Sequence, residues 1–340
     1  MIPNAPKSGL VRKIAAIVLA SAFVVSVAAC SDLPAEVQGC TPVYSTGAAA
    51  KSVSAHGTFG ADPKAKVPTP IVAKSIETNT IKQGTGLRLG KGDIADVTLT
   101  LYTGVNGQNA GSTGYGRSKQ RQLAVGDTST ALPTVFAKSL MCERVGARVT
   151  TVLTAADFYG SASAATQQGT DPTTVIVAVT DIEKGYRGRA VGTLQPLQSG
   201  FPSVVTSGDG TPGLTLDLQE PPKTLQSELV RGGSGAVVKK GQQVLLQVQA
   251  VAWTDPAPTS TIDSTWTDHT PRYYTLTALK KNATGQSLDA GSVKSLIGKR
   301  IGSQVLVVVP PKAGYPSGKQ PSGYPTGDTL IFVYDILGTY

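Results

Sequence analysis

Histidine is almost missing from this 340-residue chain, and cysteine, tryptophan and methionine are little better represented, with two His, three Cys, two Trp and two Met. His56 and His269 stand in unrelated contexts, so a zinc site lacks ligands and a Ser-His-Asp triad has little to build on. The glycine clusters GTGLRLG and GGSGAVVKKG read as turns before strands, whereas a phosphate loop needs a strand before it and a helix after it. Lys and Arg number 31 against 22 acidic residues, but no basic run interleaves with aromatics, as a nucleic-acid surface requires. Function classes that depend on nucleotides, metals, nucleic acid or acid–base pairs therefore have no support, and no cofactor is implied. The apolar run from Ile14 to Ala29 is shorter than the roughly 20 residues that cross a bilayer.

That run has another use. Lys7, Arg12 and Lys13 precede it without an acidic residue, and the small residues of Val27-Ala28-Ala29 lead into Cys30. This is the order of a charged region, an apolar region and a processing site, and it predicts a lipoprotein signal peptide over residues 1–29 with lipid attached to Cys30. Two acyl chains suffice for stable anchoring, which places the protein outside the cytoplasmic membrane, on its outer face. An uncleaved anchor, or ordinary cleavage leaving Cys30 a plain thiol, is the alternative. Loss of residues 1–29 lowers the formal charge from +9 to +6, a mild excess that serves solubility or contact with anionic lipid. In an exported protein the two remaining cysteines, Cys40 and Cys142, are expected to pair; two independent buried thiols are the alternative. Residues 30–56 are small and polar, suiting a flexible tether.

Beyond the tether, short β-rich runs such as VTLTLY, TTVIVAV, VLLQVQAVAW, VLVVVP and TLIFVYDIL recur between segments rich in the chain's 38 glycines and 22 prolines. They predict mostly β domains with few helices. The chain also repeats itself. VGARVTTVLTAADFYG from Val145 matches IGSQVLVVVPPKAGYP from Ile301 at an offset of 156, and Gly84, Gly86 and Gly92 match Gly233, Gly235 and Gly241 at an offset of 149. One fold is expected twice, over residues 57–190 and 205–340, with a linker at 191–204. Each copy has one short helical candidate before the repeated glycine. Leu132, Val135, Phe136 and Leu140 share a face in the first, with Pro133 in the first turn, and Val293, Leu296 and Ile297 do so before Gly298 in the second.

The end of the chain, GSQVLVVVPPKAGYPSG through SGYPTGDTLIFVYDILG, resembles the C-terminal half of FKBP-type peptidyl-prolyl isomerases, especially secreted actinobacterial lipoproteins carrying two such domains in tandem. Upstream, KKGQQVLLQVQAVAW and STIDSTW resemble that family's second strand and its Phe-Asp-Ser-Ser-Trp stretch, with Ile262 in the Phe place and Asp263 retained. The resemblance covers about residues 57–340. It implies an α+β fold, two tandem domains each made of a twisted antiparallel sheet wrapped on one short helix, with an aromatic pocket for a proline ring. The chemistry it implies needs neither nucleophile nor metal, since the X-Pro barrier of about 18–20 kcal/mol comes from amide resonance. A dry pocket disfavours the charge-separated resonance form, and binding energy holds the amide twisted.

Position by position, the resemblance assigns Asp263, Tyr274, Tyr315 and Phe332 to the second pocket, with Tyr324 and Ile262 beside them. In the first domain it assigns Tyr102, Phe136 and Tyr159, with Val177 in place of the strand Phe and the Phe-Asp pair falling near Ser112 and Thr113. The second domain departs from the family at Val248 for the first pocket Tyr, Ser292 for the Trp floor, and Arg272 for an aromatic. For Asp263 a turn cap is the plain alternative, and for the rings, core packing. The functions implied are isomerisation or folding of proline-containing exported polypeptides, or a catalytically weak or inactive binding or chaperone module of the envelope. A general β-sandwich adhesion protein stands if the resemblance is set aside.

Overall fold

The structure, a computed structural model, describes residues 40–127, 132–196, 198–216, 220–254, 261–267, 269–282 and 284–340. The expected signal peptide and Cys30 lie outside them. Among the described residues no helix is long and apolar enough to cross a membrane.

The first half runs through β1 (Ser45–Thr46), α1 (Ala48–Ser52), β2 (Ser54–His56), β3 (Lys64–Lys66), β4 (Glu77–Lys82), β5 (Ile94–Thr103), β6 (Asn109–Ser112), β7 (Arg121–Ala124), α2 (Thr134–Ser139), β8 (Arg148–Thr154), α3 (Ala155–Tyr159), α4 (Ala162–Gln167) and β9 (Val175–Tyr186). The second half follows with β10 (Thr193–Leu194), β11 (Ser203–Thr206), β12 (Pro212–Thr215), β13 (Gln226–Gly232), β14 (Gln243–Ala252), β15 (Asp263–Ser264), β16 (Arg272–Thr275), α5 (Ala290–Leu296), β17 (Gln304–Val309) and β18 (Leu330–Thr339). Two sheets result, with the same strand order: β1-β4-β8-β9-β5-β6 with β7 on β5, and β10-β13-β17-β18-β14-β15 with β16 on β14. The repeat seen in sequence is thus a repeat of strand order, differing at the edge where β1 runs parallel to β4 and β10 antiparallel to β13, and we refer to the halves as modules.

Three features differ from the sequence reading. The first sheet is not wholly antiparallel, because β1 joins β4 in parallel. The first module also has helices besides α2. The side chain of Thr154 caps α3 through the Asp157 amide while Asp157 caps back, Gly160 closes the turn in the left-handed region at φ 86°, and Ser161 caps α4, a capping-box signal hidden inside a segment of strand-like composition. Finally, residues 40–56, the described part of the expected tether, are built into the first module. Cys40 is joined to Cys142 with Cα atoms 5.6 Å apart, and Ala49, Ala50 and Val53 are buried. Likewise β10 and the start of β11 fall within the segment read as a linker.

Successive residues of a strand face opposite sides of a sheet. Runs such as VLVVV, apolar at every position, therefore need cover on both. The inner face of the first sheet carries Val149, Leu153, Ala178 and Ile182 under Phe136 of α2 and Leu140 at its C-terminal cap. That of the second carries Val305, Val307, Phe332 and Tyr334 under Val293 and Leu296 of α5. The outer faces are closed by hairpins that stand 149 residues apart. β2–β3 brings Ala55 onto Val152, Val177 and Val179, and β11–β12 brings Val204 and Leu214 onto Val230, Val251, Leu306 and Val333.

A buried acid stands at one ladder position of each sheet, and in the first module it fastens the outer cover. Arg148 and Asp181, paired across β8 and β9, form a double ion pair at 2.6 and 2.7 Å with 4% side-chain exposure each. The Gly60 amide donates to Asp181 at 2.7 Å, while Arg148 donates to the Gly57 and Thr58 carbonyls. In the second module the same ladder position holds Gln304 and Asp335. Gln304 Nε2 donates to Asp335 Oδ1 at 2.8 Å, and the Ala190 amide to Oδ2 at 2.7 Å. With glutamine in the place of arginine, burial dominates and pushes the Asp335 carboxyl up to about 6.

The modules meet through Ile94, Ala124, Tyr186, Leu245 and Leu337. At the centre, the Tyr273 hydroxyl donates to Asp96 Oδ2 at 2.7 Å and lies 3.1 Å from the Tyr186 hydroxyl. Gly338 is required here, because a Cβ would come within 2.3 Å of the Tyr186 ring.

Two expectations follow. The Asp335 pKa in the folded state lies above the unfolded value of about 3.9, so its stabilisation is complete below pH 4 and lost as pH rises to about 6. Urea unfolding of the wild type and Asp335→Asn at pH 4 and 7 is expected to show the wild type losing on the order of 2–3 kcal/mol relative to the variant across that interval; a pH-independent difference contradicts it. Replacing Tyr273 by Phe removes a donor from buried Asp96 and is expected to cost about 1–3 kcal/mol, read as a lower urea midpoint; an unchanged midpoint contradicts it.

Candidate functional site

In the second module the strands bring together every residue assigned there from the sequence. β15 presents Asp263 from the sheet edge with 10% of its side chain exposed. Its Oδ1 accepts from Arg272 Nη1 at 2.8 Å, and its Oδ2 accepts from Gln286 Nε2 and the Tyr324 hydroxyl, both at 3.1 Å. Tyr274, two residues after Arg272 on β16, is 2% exposed and donates to Gln286 Oε1 at 3.2 Å. Tyr315 donates to the Ser287 carbonyl at 2.5 Å. Ile262, Tyr315 and Tyr324 pack as half-buried residues on the same core.

The rings form a continuous series. Tyr315 meets Tyr324 edge-on at 5.8 Å, Tyr324 stacks on Phe332 at 6.3 Å, and Phe332 stacks on Tyr334 at 5.4 Å. Phe332 is 1% exposed and Tyr334 not at all. Where the family resemblance calls for an indole floor, Ser292 on α5 accepts from the Tyr334 hydroxyl at 2.9 Å and donates to Asp289 at 2.6 Å. Asp289 also caps the helix by accepting from the Ser292 amide. A Tyr-Ser-Asp chain thus fills the floor from within. Burial pushes Tyr274 up to about 12 and raises Tyr315, Tyr324 and Tyr334 as well, with Asp263 adding to the first three and Asp289 contributing at Tyr315 and Tyr334. All four hydroxyls stay protonated at neutral pH and act as donors.

Arg272, Gln286, Ser287 and Tyr334 complete this site without having been assigned to it. The pairing of Arg272 with Asp263 was readable only as the loss of an aromatic, whereas Tyr334 stands two residues after Phe332, the spacing that shares a face. A cavity of about 180 Å³ adjoins the cluster, lined by Tyr315, Val309, Pro311 and Leu330; Asp263, Tyr274 and Phe332 do not line it. The arrangement can hold a turn and a helix N-terminus together. Among the described residues, Phe332 and Tyr334 leave almost no ring surface exposed for a proline ring to meet.

The first module is arranged otherwise. Phe136 is fully buried on α2 and meets Phe158 edge-on at 5.9 Å, while Tyr159, edge-on to Phe158 at 5.0 Å, is 39% exposed. The ring facing the inner core is therefore Phe158, which the sequence reading passed over. Tyr102 is corrected to the outer face, where it packs with Val152 and Val177 and donates to the Pro63 carbonyl at 2.5 Å. Register identifies the true counterparts. The Leu99 amide donates to Thr113 Oγ1 as the Val248 amide does to Thr265 Oγ1, so Leu99 matches Val248, three residues before Tyr102. Leu101 pairs with Gly111 and Ala178 as Ala250 pairs with Asp263 and Phe332. The acid position is thus Gly111 rather than Ser112 or Thr113, and the strand-Phe position is Ala178 rather than Val177. This module has neither the carboxylate nor the strand ring.

No protein-family model and no curated protein matches the sequence. Solved structures do match. FkpA from Escherichia coli aligns at 20% identity and a TM-score of 0.28 over 40% of this chain and 51% of that one, so the chain spans about half the length of FkpA. The three FKBP domains of wheat FKBP73 align at 14% identity and a TM-score of 0.31 over 78% of this chain and 95% of that one. The N-terminal domain of FKBP42 from Arabidopsis thaliana aligns at 13% identity and a TM-score of 0.29 over 44% of this chain and 99% of that one.

Proposed function

We propose that the chain is a tandem FKBP-like binding or chaperone module of the cell envelope, held outside the cytoplasmic membrane by lipid on Cys30, with little or no isomerase activity. What carries the catalytic part of this reading is the closed ring series. Phe332 exposes 1% of its surface, and both carboxylate oxygens of Asp263 are engaged by Arg272, Gln286 and Tyr324. Accelerating X-Pro rotation requires a dry space in which the amide is bound twisted, and here the protein's own side chains occupy the places that would line it. The location rests on the order of charged, apolar and small residues before Cys30.

A second reading, an isomerase acting on exported proline-containing polypeptides, is favoured by one observation: Asp263, Tyr274, Tyr315 and Phe332 share one core beside Tyr324. The two differ in a protease-coupled isomerisation assay of a proline tetrapeptide by the purified full chain. A rate within about twofold of buffer is expected. An acceleration of about tenfold or more that disappears in Asp263→Ala establishes the isomerase instead. Immunosuppressive macrolides are expected to bind weakly for the same reason, and tight binding to the second module, measured by calorimetry, contradicts the closed site.

A further inference from the structure

The two outer faces, alike in their hairpins, differ in what precedes those hairpins. In the first module α1 sits on the sheet with Ala49 and Ala50 buried, and the Ala50 amide donates to Glu77 Oε2 at 3.1 Å. The corresponding stretch of the second module, 149 residues on, reads Gln-Ser-Gly-Phe-Pro over 198–202, with Gly200 in the left-handed region at φ 92°. Glycine and proline at these positions do not continue a helix. Where the first module seats a helical turn, the second leaves a groove of about 850 Å³ lined by Phe201, Leu216, Pro222 and Trp253 with Gln226 and Glu220.

The groove's charge is one-sided. Among the described residues no Lys, Arg or His lines it, in a chain with an excess of nine basic residues. Beside it, two residues along β13 from Gln226 and so on the same face, stands Glu228 at 7% exposure. Its Oε1 accepts from the amide of Gln198, itself a groove residue, at 2.9 Å. Its Oε2 has no hydrogen-bond partner among the described residues. A buried carboxylate oxygen left unpaired is costly, and a positive charge held in the adjoining groove offsets part of that cost through space.

We propose that this groove binds a basic–apolar segment of an extracytoplasmic polypeptide, in which an arginine flanked by aliphatic residues lays its stem and guanidinium plane against Trp253 and Phe201 and balances its charge with Glu228 and Glu220. A guanidinium stacks on aromatic faces and bonds carboxylates in a planar fork, and its methylene stem covers apolar surface. The groove lies on the face of the sheet opposite the Asp263 ring series, so this binding is independent of whether the chain isomerises proline.

The test is calorimetric titration of the full chain with an end-blocked Ala-Leu-Arg-Leu-Ala peptide and with its citrulline counterpart, which keeps the shape and loses the charge. Saturable 1:1 binding of the arginine peptide is expected, at least about tenfold weaker for the citrulline peptide and for Glu228→Gln. Glu220→Gln on the exposed rim, which leaves the buried face untouched, is expected to weaken the arginine peptide by a few fold. Equal affinity for the two peptides, unchanged affinity in both variants, or no binding of the arginine peptide at millimolar concentration overturns the proposal.

Discussion

A strand turns its side chains alternately to the two faces of a sheet; in the second sheet runs such as VLVVV are apolar at every position, and in the first the residues on both faces of β5, β8 and β9 are largely buried, so neither face is left to water. On the outer face of the second sheet Val230, Val251, Leu306, Ile331 and Val333 are buried. At about 1.5–3 kcal/mol for each such side chain, uncovering them would cost on the order of 10 kcal/mol, comparable with the whole stability of a typical domain. Cover on both sides is therefore a condition of folding. Helices α2 and α5 meet it within, and the hairpins β2–β3 and β11–β12 meet it outside. The first cover is fastened at one ladder position, where Arg148 and Asp181 hold the β2–β3 turn, while at the same position of the second sheet Asp335 with Gln304 holds the Ala190 amide. The same need explains why the described part of the N-terminal segment is folded onto the first module.

The closed site is another consequence of complete packing. Ring pairs of this kind contribute about 0.5–1.5 kcal/mol each beyond their burial. The three contacts from Tyr315 to Tyr334 and the bonds to Asp263 would all have to loosen to admit a proline ring. With serine at the helix position, Tyr334 reaches α5 directly and the helix settles onto the sheet. Asp263 then acts as a structural acceptor that ties β16, the Gln286 segment and the Tyr324 loop together.

Much of this was legible in the sequence. The repeat, the two inner helices and the principal strands follow from apolar runs and glycine spacing, and the second-module residues Asp263, Tyr274, Tyr315, Tyr324 and Phe332 do lie together. The first module misled because period two is unforgiving. Placing the pocket position at Tyr102 instead of Leu99, or at Val177 instead of Ala178, is a slip of an odd number of residues, and any odd slip sends a side chain to the opposite face. The outer hairpins escaped notice because each strand spans only three or four residues, too few for alternation to register. Residues contributed by loops, such as Gln286, carry no periodic signal at all, and their role emerges only when the chain brings them to Asp263.

Closure of the inner face of the second module is most directly tested by methyl NMR of the full chain during titration with a proline tetrapeptide to saturating concentration. The methyls of Val248, Val293 and Ile262 border the ring series, and their resonances are expected to stay in place. Saturable shifts at these three, growing together with peptide concentration, would mean that the core opens to admit proline and would contradict the closed site.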